Sequence, residues 1–408
     1  MKKKIETALL ANGIRVAHHQ LPLATVYCGL TISAGARDEL GDEHGLAHFL
    51  EHLLFKGTKK RKAYHINNRL ESVGGELNAF TGKEETVIHA TTLSGDFAKS
   101  LELIADVTFS STFPEEELQK EKAVVLDEIN LYKDSPAEAI FDDFEEYIFP
   151  NCSLGRNILG DKKSLKHFGS EHLNRFISRN YSTEQMVISS VGKMSFKRAM
   201  ELVERHFSPY LLQPARQERT PPPPYMPTNK TVNKNTHQVH CIIGNRSYKL
   251  ADKRSTALTL LINILGGPLS NSRLNTSLRE KHGLVYSVEA GYTPYQDTGL
   301  FSIYFGTAKQ ALSSSINAVM TELKKLQTNK LTTLQLSRAK KQMIGQLTIA
   351  NENPEQLMLG MGKSLLSLNH IETTEEVLAK INAVTPEMLI DIANELFSAD
   401  QLSTLTYV

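Results

Sequence analysis

The hydrophobic positions follow two periods. Leu46, Phe49, Leu50, Leu53 and Leu54 fall at i, i+3, i+4, i+7 and i+8, which predicts a helix with one apolar face over 44–56. Two longer helical patterns run over 118–136 and 336–354, each from a leucine to a proline. Residues 85–93 and 298–305 read as strands, and each is followed by a helical pattern, over 97–107 and 312–326. Residues 161–192 read helix, helix, strand, and 375–408 repeat that order. Strands that lead into helices predict the α+β class. The expectation is two homologous α/β sandwich domains, each a mainly antiparallel sheet with helices packed on one face.

The two halves read as diverged copies. Between them, Pro221 to Pro224 sit in a polar stretch that cannot donate backbone hydrogen bonds and favours an extended spacer. The expected division is an N-terminal domain over 1–210, a linker over 211–230 and a C-terminal homologous domain over 231–408. Aligning the Leu-to-Pro helices sets Glu121 against Ala339 and Glu128 against Gln346.

Composition narrows the function. The 408 residues carry 46 Lys and Arg against 45 Asp and Glu, a net charge of +1. That balance lacks the basic excess of a nucleic-acid binder, so no nucleic-acid partner is expected. No apolar run approaches the roughly 18–20 residues of a membrane span, and no membrane partner is expected. The apolar stretch over 7–11 is too short for a signal peptide, with Glu6 just ahead of it. Cys28, Cys152 and Cys241 are widely spaced and odd in number, which indicates neither a disulfide framework nor a cysteine metal site. The expected location is a reducing cytoplasm.

The predicted helix at 44–56 carries the chemistry. His48, Glu51 and His52 group opposite its apolar stripe, in the inverted zinc-peptidase spacing His-x-x-Glu-His. Imidazoles at i and i+4 reach one small volume, as a tetrahedral metal requires. His44 continues the spacing but sits beside Gly45 and reads as a helix-start residue. A third ligand is needed. Glu128 is the best candidate, seven residues after Glu121 on a stripe shared with Val124 and Val125, where a carboxylate is costly unless paired or ligating. Two surface glutamates on an acidic helix is the plainer alternative.

With these residues in place, the whole chain resembles the pitrilysin/insulinase family of zinc metallopeptidases, in its processing-peptidase-like branch and as a bacterial member. The family pattern sets the ligand glutamate about 76 residues after the second histidine, and Glu128 stands 76 after His52. The resemblance implies one Zn2+ per chain on His48, His52 and Glu128, Glu51 as the base, and Glu121 orienting the site. It implies that Asn78, Ala79, Phe80 and Thr81 form a substrate-binding edge strand. It implies that Arg279 and Tyr286 match an Arg/Tyr motif that donates to the substrate carbonyl. In the family, four such domains enclose a chamber, so a homodimer acting on unfolded or short peptides is expected, as a zinc endopeptidase or oligopeptidase. A non-catalytic or presequence-processing assembly subunit is the alternative; the intact His48, Glu51, His52 and Glu128 set argues against the first, and the presence of both the zinc motif and the Arg/Tyr motif in one chain argues against the second.

Overall fold

The computed structural model describes residues 5–211 and 219–408. In chain order the first half gives β1 (Glu6–Leu9), β2 (Arg15–Gln20), β3 (Thr25–Ile32), α1 (Leu46–Leu54), α2 (Ala63–Glu71), β4 (Glu76–Thr81), β5 (Thr86–Leu93), α3 (Phe97–Phe109), α4 (Glu115–Lys133), α5 (Pro136–Ile148), α6 (Lys162–His167), α7 (Ser170–Asn180), β6 (Met186–Gly192) and α8 (Phe196–Phe207). The second half gives β7 (Asn229–Val232), β8 (Val239–Ser247), α9 (Ser255–Gly266), β9 (Val285–Pro294), β10 (Gly299–Thr307), α10 (Leu312–Thr328), α11 (Thr333–Asn351), α12 (Pro354–Leu368), α13 (Thr374–Ala383), α14 (Pro386–Leu396) and β11 (Ser403–Tyr407). A short π-helix, Asn275–Lys281, precedes β9.

The α+β reading holds, and the strand orders show the repeat. One sheet runs β1-β2-β6-β3-β5-β4 and the other β7-β11-β8-β10-β9. From β2 onward they match strand for strand. Each has one parallel pair, β2 with β6 and β7 with β11, and is otherwise antiparallel. The helices α4 and α11 are each 19 residues long. Each is followed at once by a helix with proline in its first turn, Pro136 in α5 and Pro354 in α12. Proline suits that position because its missing N–H would have had no partner there.

The domain division is not contiguous. One compact unit comprises Met1–Asn130, Arg156–Arg219 and Ala350–Ile371; the other comprises Leu131–Gly155, Thr220–Ile349 and Glu372–Val408. The expected boundaries, 1–210 and 231–408, therefore miss an exchange: α5 belongs to the second unit and α12 to the first. The exchange also amends the expectation of helices on one face. In the first unit α1, α3, α4, α7 and α8 cover one face of the sheet. Met358, Met361, Leu365 and Leu366 of α12 cover the other, against Ala17, Val187 and Val191. In the second, α5 sets Ile140, Phe144 and Ile148 on Ile242, Leu300, Leu405 and Tyr407. An apolar helix face reads the same whichever sheet it covers, so hydrophobic pattern alone cannot assign α5 and α12. Within the expected linker, residues 212–218 lie outside the described residues, and β7 already begins at Asn229. No helix among the described residues is long and apolar enough to cross a membrane.

Candidate metal centre

The site is built on α1. Leu46, Phe49, Leu50, Leu53 and Leu54 are buried as the stripe predicts, which fixes the helix against the first unit's core. Its start is shaped by Gly45, at φ 89°, where a Cβ would lie 2.6 Å from Cα of Gly160. Only glycine tolerates both that dihedral and that approach. The buried Glu39 accepts hydrogen bonds from the Gly45 and Ala47 amides at 3.0 and 2.8 Å, satisfying two groups at the helix start. His44 bonds the Asn157 carbonyl at 3.1 Å and lies outside the metal-ligand group, in keeping with its reading as a helix-start residue.

His48 and His52 face each other with ring centroids 4.7 Å apart at 72°. Oε2 of Glu128, on α4, stands 3.7 Å from Nε2 of His48 and 3.5 Å from Nε2 of His52. Three donors at about 2.1 Å from a tetrahedral zinc would be roughly 3.4 Å apart, so the residues present fit that ion. Burial, with a smaller contribution from His52, pushes His48 down to about 4. Its imidazole is therefore neutral at pH 7, the form that ligates. The Glu128 side chain keeps 43% exposure, so the cluster is open on that side.

Glu121 lies on the buried face of α4 with Leu118, Val125 and Ile129, whereas Val124, expected on that stripe, is half exposed. The helix turns so that Glu121, and not Val124, completes the inward face. Oε2 of Glu121 is 3.2 Å from Nδ1 of His52, and Oε1 is 2.6 Å from Nζ of Lys56. Lys56 escaped the sequence reading, although it sits four residues after His52 and so follows the same helical spacing one turn on. Glu39 escaped it too, and no local signal marks a carboxylate that reaches forward from an irregular loop.

Glu51 sits between the histidines in sequence. Burial holds it above the usual carboxylate range; a hydrogen bond with Thr81 and the His52 charge oppose this, and Glu128 adds to it. Thr81 is the last residue of β4. That strand is the sheet's edge, paired with β5 alone among the described residues. Asn78 and Phe80 of β4 are exposed while Ala79 points inward and is buried, the alternation of a strand with one covered face. Its outer backbone edge ends beside Glu51. Arg279 and Tyr286 belong to the second unit, on the π-helix and at the start of β9, and both are exposed.

The second unit repeats the scaffold without the ligands. On α11, Ala339 and Gln346 take the places of Glu121 and Glu128. Asn263 of α9 donates to Oε1 of Gln346 at 2.6 Å, standing where His52 stands beside Glu128.

Comparison with known proteins agrees with this asymmetry. Residues 15–162 match the family model described as insulinase (peptidase family M16), and residues 167–343 match the one described as peptidase M16 inactive domain. The chain is 34% identical to a Bacillus subtilis protein named uncharacterized zinc protease YmxG, over 95% of each chain. It is 32% identical to an uncharacterized zinc protease of Rickettsia felis, over 99% of this chain and 98% of that one. Among solved structures, a protease from Helicobacter pylori superposes with a TM-score of 0.91 at 23% identity over the full length of both chains. A Pseudomonas fluorescens structure, described as a peptidase M16 inactive domain, gives 0.92 at 22% identity, over 99% of this chain and 98% of that one.

Proposed function

The chain belongs to the insulinase family, peptidase family M16, and on that premise we propose that it is a zinc-dependent endopeptidase or oligopeptidase that hydrolyses unfolded or short peptides. The observation that carries the reading is the cluster of His48, His52 and Glu128, whose ligand atoms lie within 4.8 Å of one another, with Glu51 on the same helix. Zinc, when bound, supplies Lewis acidity toward a carbonyl oxygen and toward water. The chain's own residues do the rest. Glu51 accepts a proton from the attacking water and returns it to the leaving amine; its raised affinity for protons suits both halves of that task. Glu121 orients His52 through Nδ1 and is itself steadied by Lys56.

The exposed edge of β4 suits a substrate in extended form, added as a further strand and held through its backbone by residues 78–81. Backbone recognition requires an unfolded segment, which is why short or unfolded peptides are the proposed class. Arg279 and Tyr286 are assigned to the substrate carbonyl by family likeness, and a homodimer is the proposed assembly.

Metal analysis of purified variants tests the reading. His48→Ala, His52→Ala and Glu128→Gln each lose bound zinc, since three protein ligands leave none to spare. Glu51→Gln keeps zinc and loses turnover of a quenched-fluorescence peptide. A zinc-replete Glu128→Gln protein, or a zinc-free Glu51→Gln protein, overturns the assignment.

A further inference from the structure

The second unit holds a cavity of about 220 Å3 between α9 and α11, the two helices equivalent to those that carry the metal cluster in the first. Arg273, Arg338, Asn263, Asn271 and Gln342 line it. With Gln335 also in the lining, its polar chemistry is the reverse of the metal site: two cations and four amides in place of two carboxylates and two imidazoles.

Neither arginine has an ion pair or hydrogen-bond partner among the described residues. The acidic group that acts on Arg273 is Glu322, and its carboxylate is already bonded to Lys325 at 2.7 Å. Arg273 is half-buried, and burial lowers its affinity for its own proton more than the Glu322 charge restores it. A cation withdrawn from water and left unpaired is costly. The amides are also unfinished. Nδ2 of Asn271 donates to Oε1 of Gln342 at 2.9 Å, which leaves the Asn271 carbonyl and the Gln342 amide nitrogen without partners among the described residues. Oδ1 of Asn263 is buried with no hydrogen-bond partner.

We propose that this cavity binds the free C-terminal carboxylate of a peptide, the arginines taking the carboxylate and Asn271 and Gln342 the last backbone amide. Guanidinium groups pair with a carboxylate in two parallel hydrogen bonds, and a primary amide offers the donor and acceptor that a peptide group needs. The volume suits a terminal residue or two, not an extended segment. The inference goes beyond peptide hydrolysis and stands whether or not the metal cluster is catalytic.

The test uses the full chain carrying His48→Ala, so that binding at the metal cluster is removed from the measurement. The probes are N-acetyl-glycylglycine, its C-terminal amide, and inorganic phosphate, followed by calorimetry or by ligand-observed NMR. The acid binds at least tenfold more tightly than the amide and than phosphate. Arg338→Gln, an exposed position that leaves the core untouched, weakens the acid at least tenfold and leaves the amide unchanged. Arg273→Gln does the same where it folds. Equal binding of acid and amide overturns the proposal, as does phosphate binding as tightly as the acid, or affinity for the acid unmoved by Arg338→Gln. Loss of zinc or turnover in variants of the other site bears on the peptidase reading alone.

Discussion

Lys56 is the perturbation whose consequence can be worked furthest. Its ammonium lies 2.6 Å from Oε1 of Glu121, a carboxylate whose side chain is only 8% exposed. Removing one partner of a fully buried pair costs about 3–5 kcal/mol, because the other charge is left uncompensated. The Lys56 side chain is 30% exposed, and solvent screening brings Lys56→Met down to about 1–3 kcal/mol. Glu121→Gln, which strands a partly solvated ammonium instead, costs about 1–2 kcal/mol by the same reasoning. The double variant holds a neutral amide beside an apolar chain. It therefore costs less than the sum of the singles, by a coupling of about 1–3 kcal/mol. Lys56→Arg keeps the charge and most of the stability.

The chain contains no tryptophan, so amide hydrogen exchange on metal-free protein is the suitable stability assay. It reads the opening energy of α1 and α4 segment by segment and does not require the two units to unfold together. A second readout is zinc affinity by chelator competition. Groups that orient metal ligands are worth about 10–100-fold in affinity, and Glu121→Gln falls in that range because it replaces the acceptor 3.2 Å from His52 Nδ1. Additive costs, with coupling under about 0.3 kcal/mol, would show that the 2.6 Å pair does not hold Glu121. Unchanged zinc affinity in Glu121→Gln would show that Glu121 does not orient His52.

Two further outcomes follow from the site. Thr81→Val removes a hydrogen bond that lowers the Glu51 pKa, so the acidic limb of kcat/KM moves to higher pH; a limb that stays in place or moves down refutes the link between β4 and the base. Mixing Glu51→Gln with Tyr286→Phe protein tests whether a homodimer shares its sites: with proven random exchange, about a quarter of wild-type activity returns if Tyr286 serves the partner's site, and none returns if it serves its own.

Much of this was legible in the sequence, because the decisive signals are local. The stripe Leu46, Phe49, Leu50, Leu53 and Leu54 is buried as its spacing requires, and the same spacing sets His48 and His52 together. The repeat was legible because proline marks the same boundary twice, at Pro136 and Pro354. What escaped was long-range. The exchange of α5 and α12 leaves no trace in periodicity, although the closeness of helix and sheet does leave glycines: a Cβ on Gly362 of α12 would lie 2.5 Å from Oγ1 of Thr31 on β3. Lys56 was visible in spacing but not in meaning, since its role depends on Glu121 arriving from a helix 65 residues later. The turn of α4 that buries Glu121 and exposes Val124 is set by packing and not by propensity.

The repeat also separates what the scaffold needs from what the chemistry needs. Both units bury the apolar stripe of the equivalent helix, with Leu258, Leu261 and Leu265 in α9 doing what Leu50 and Leu53 do in α1. The polar face facing the long helix is therefore free to diverge at little cost to the core. In the first unit it carries a negative balance, with Glu121 and Glu128 set against two imidazoles, which suits a cation. In the second, Ala339 and Gln346 remove both carboxylates, and Asn263 takes the place of His52, so the attraction for a cation is gone. The cavity beside Asn263 and Ala339 presents Arg273 and Arg338, two cations where the first unit's cluster has carboxylates. A loss of catalysis by random drift would leave such a cavity filled by apolar side chains or neutralised by nearby acids. Two guanidinium groups with no ion pair within 4.0 Å among the described residues fit retention for an anionic ligand better than decay, and Arg338→Gln separates the two by whether carboxylate binding is lost.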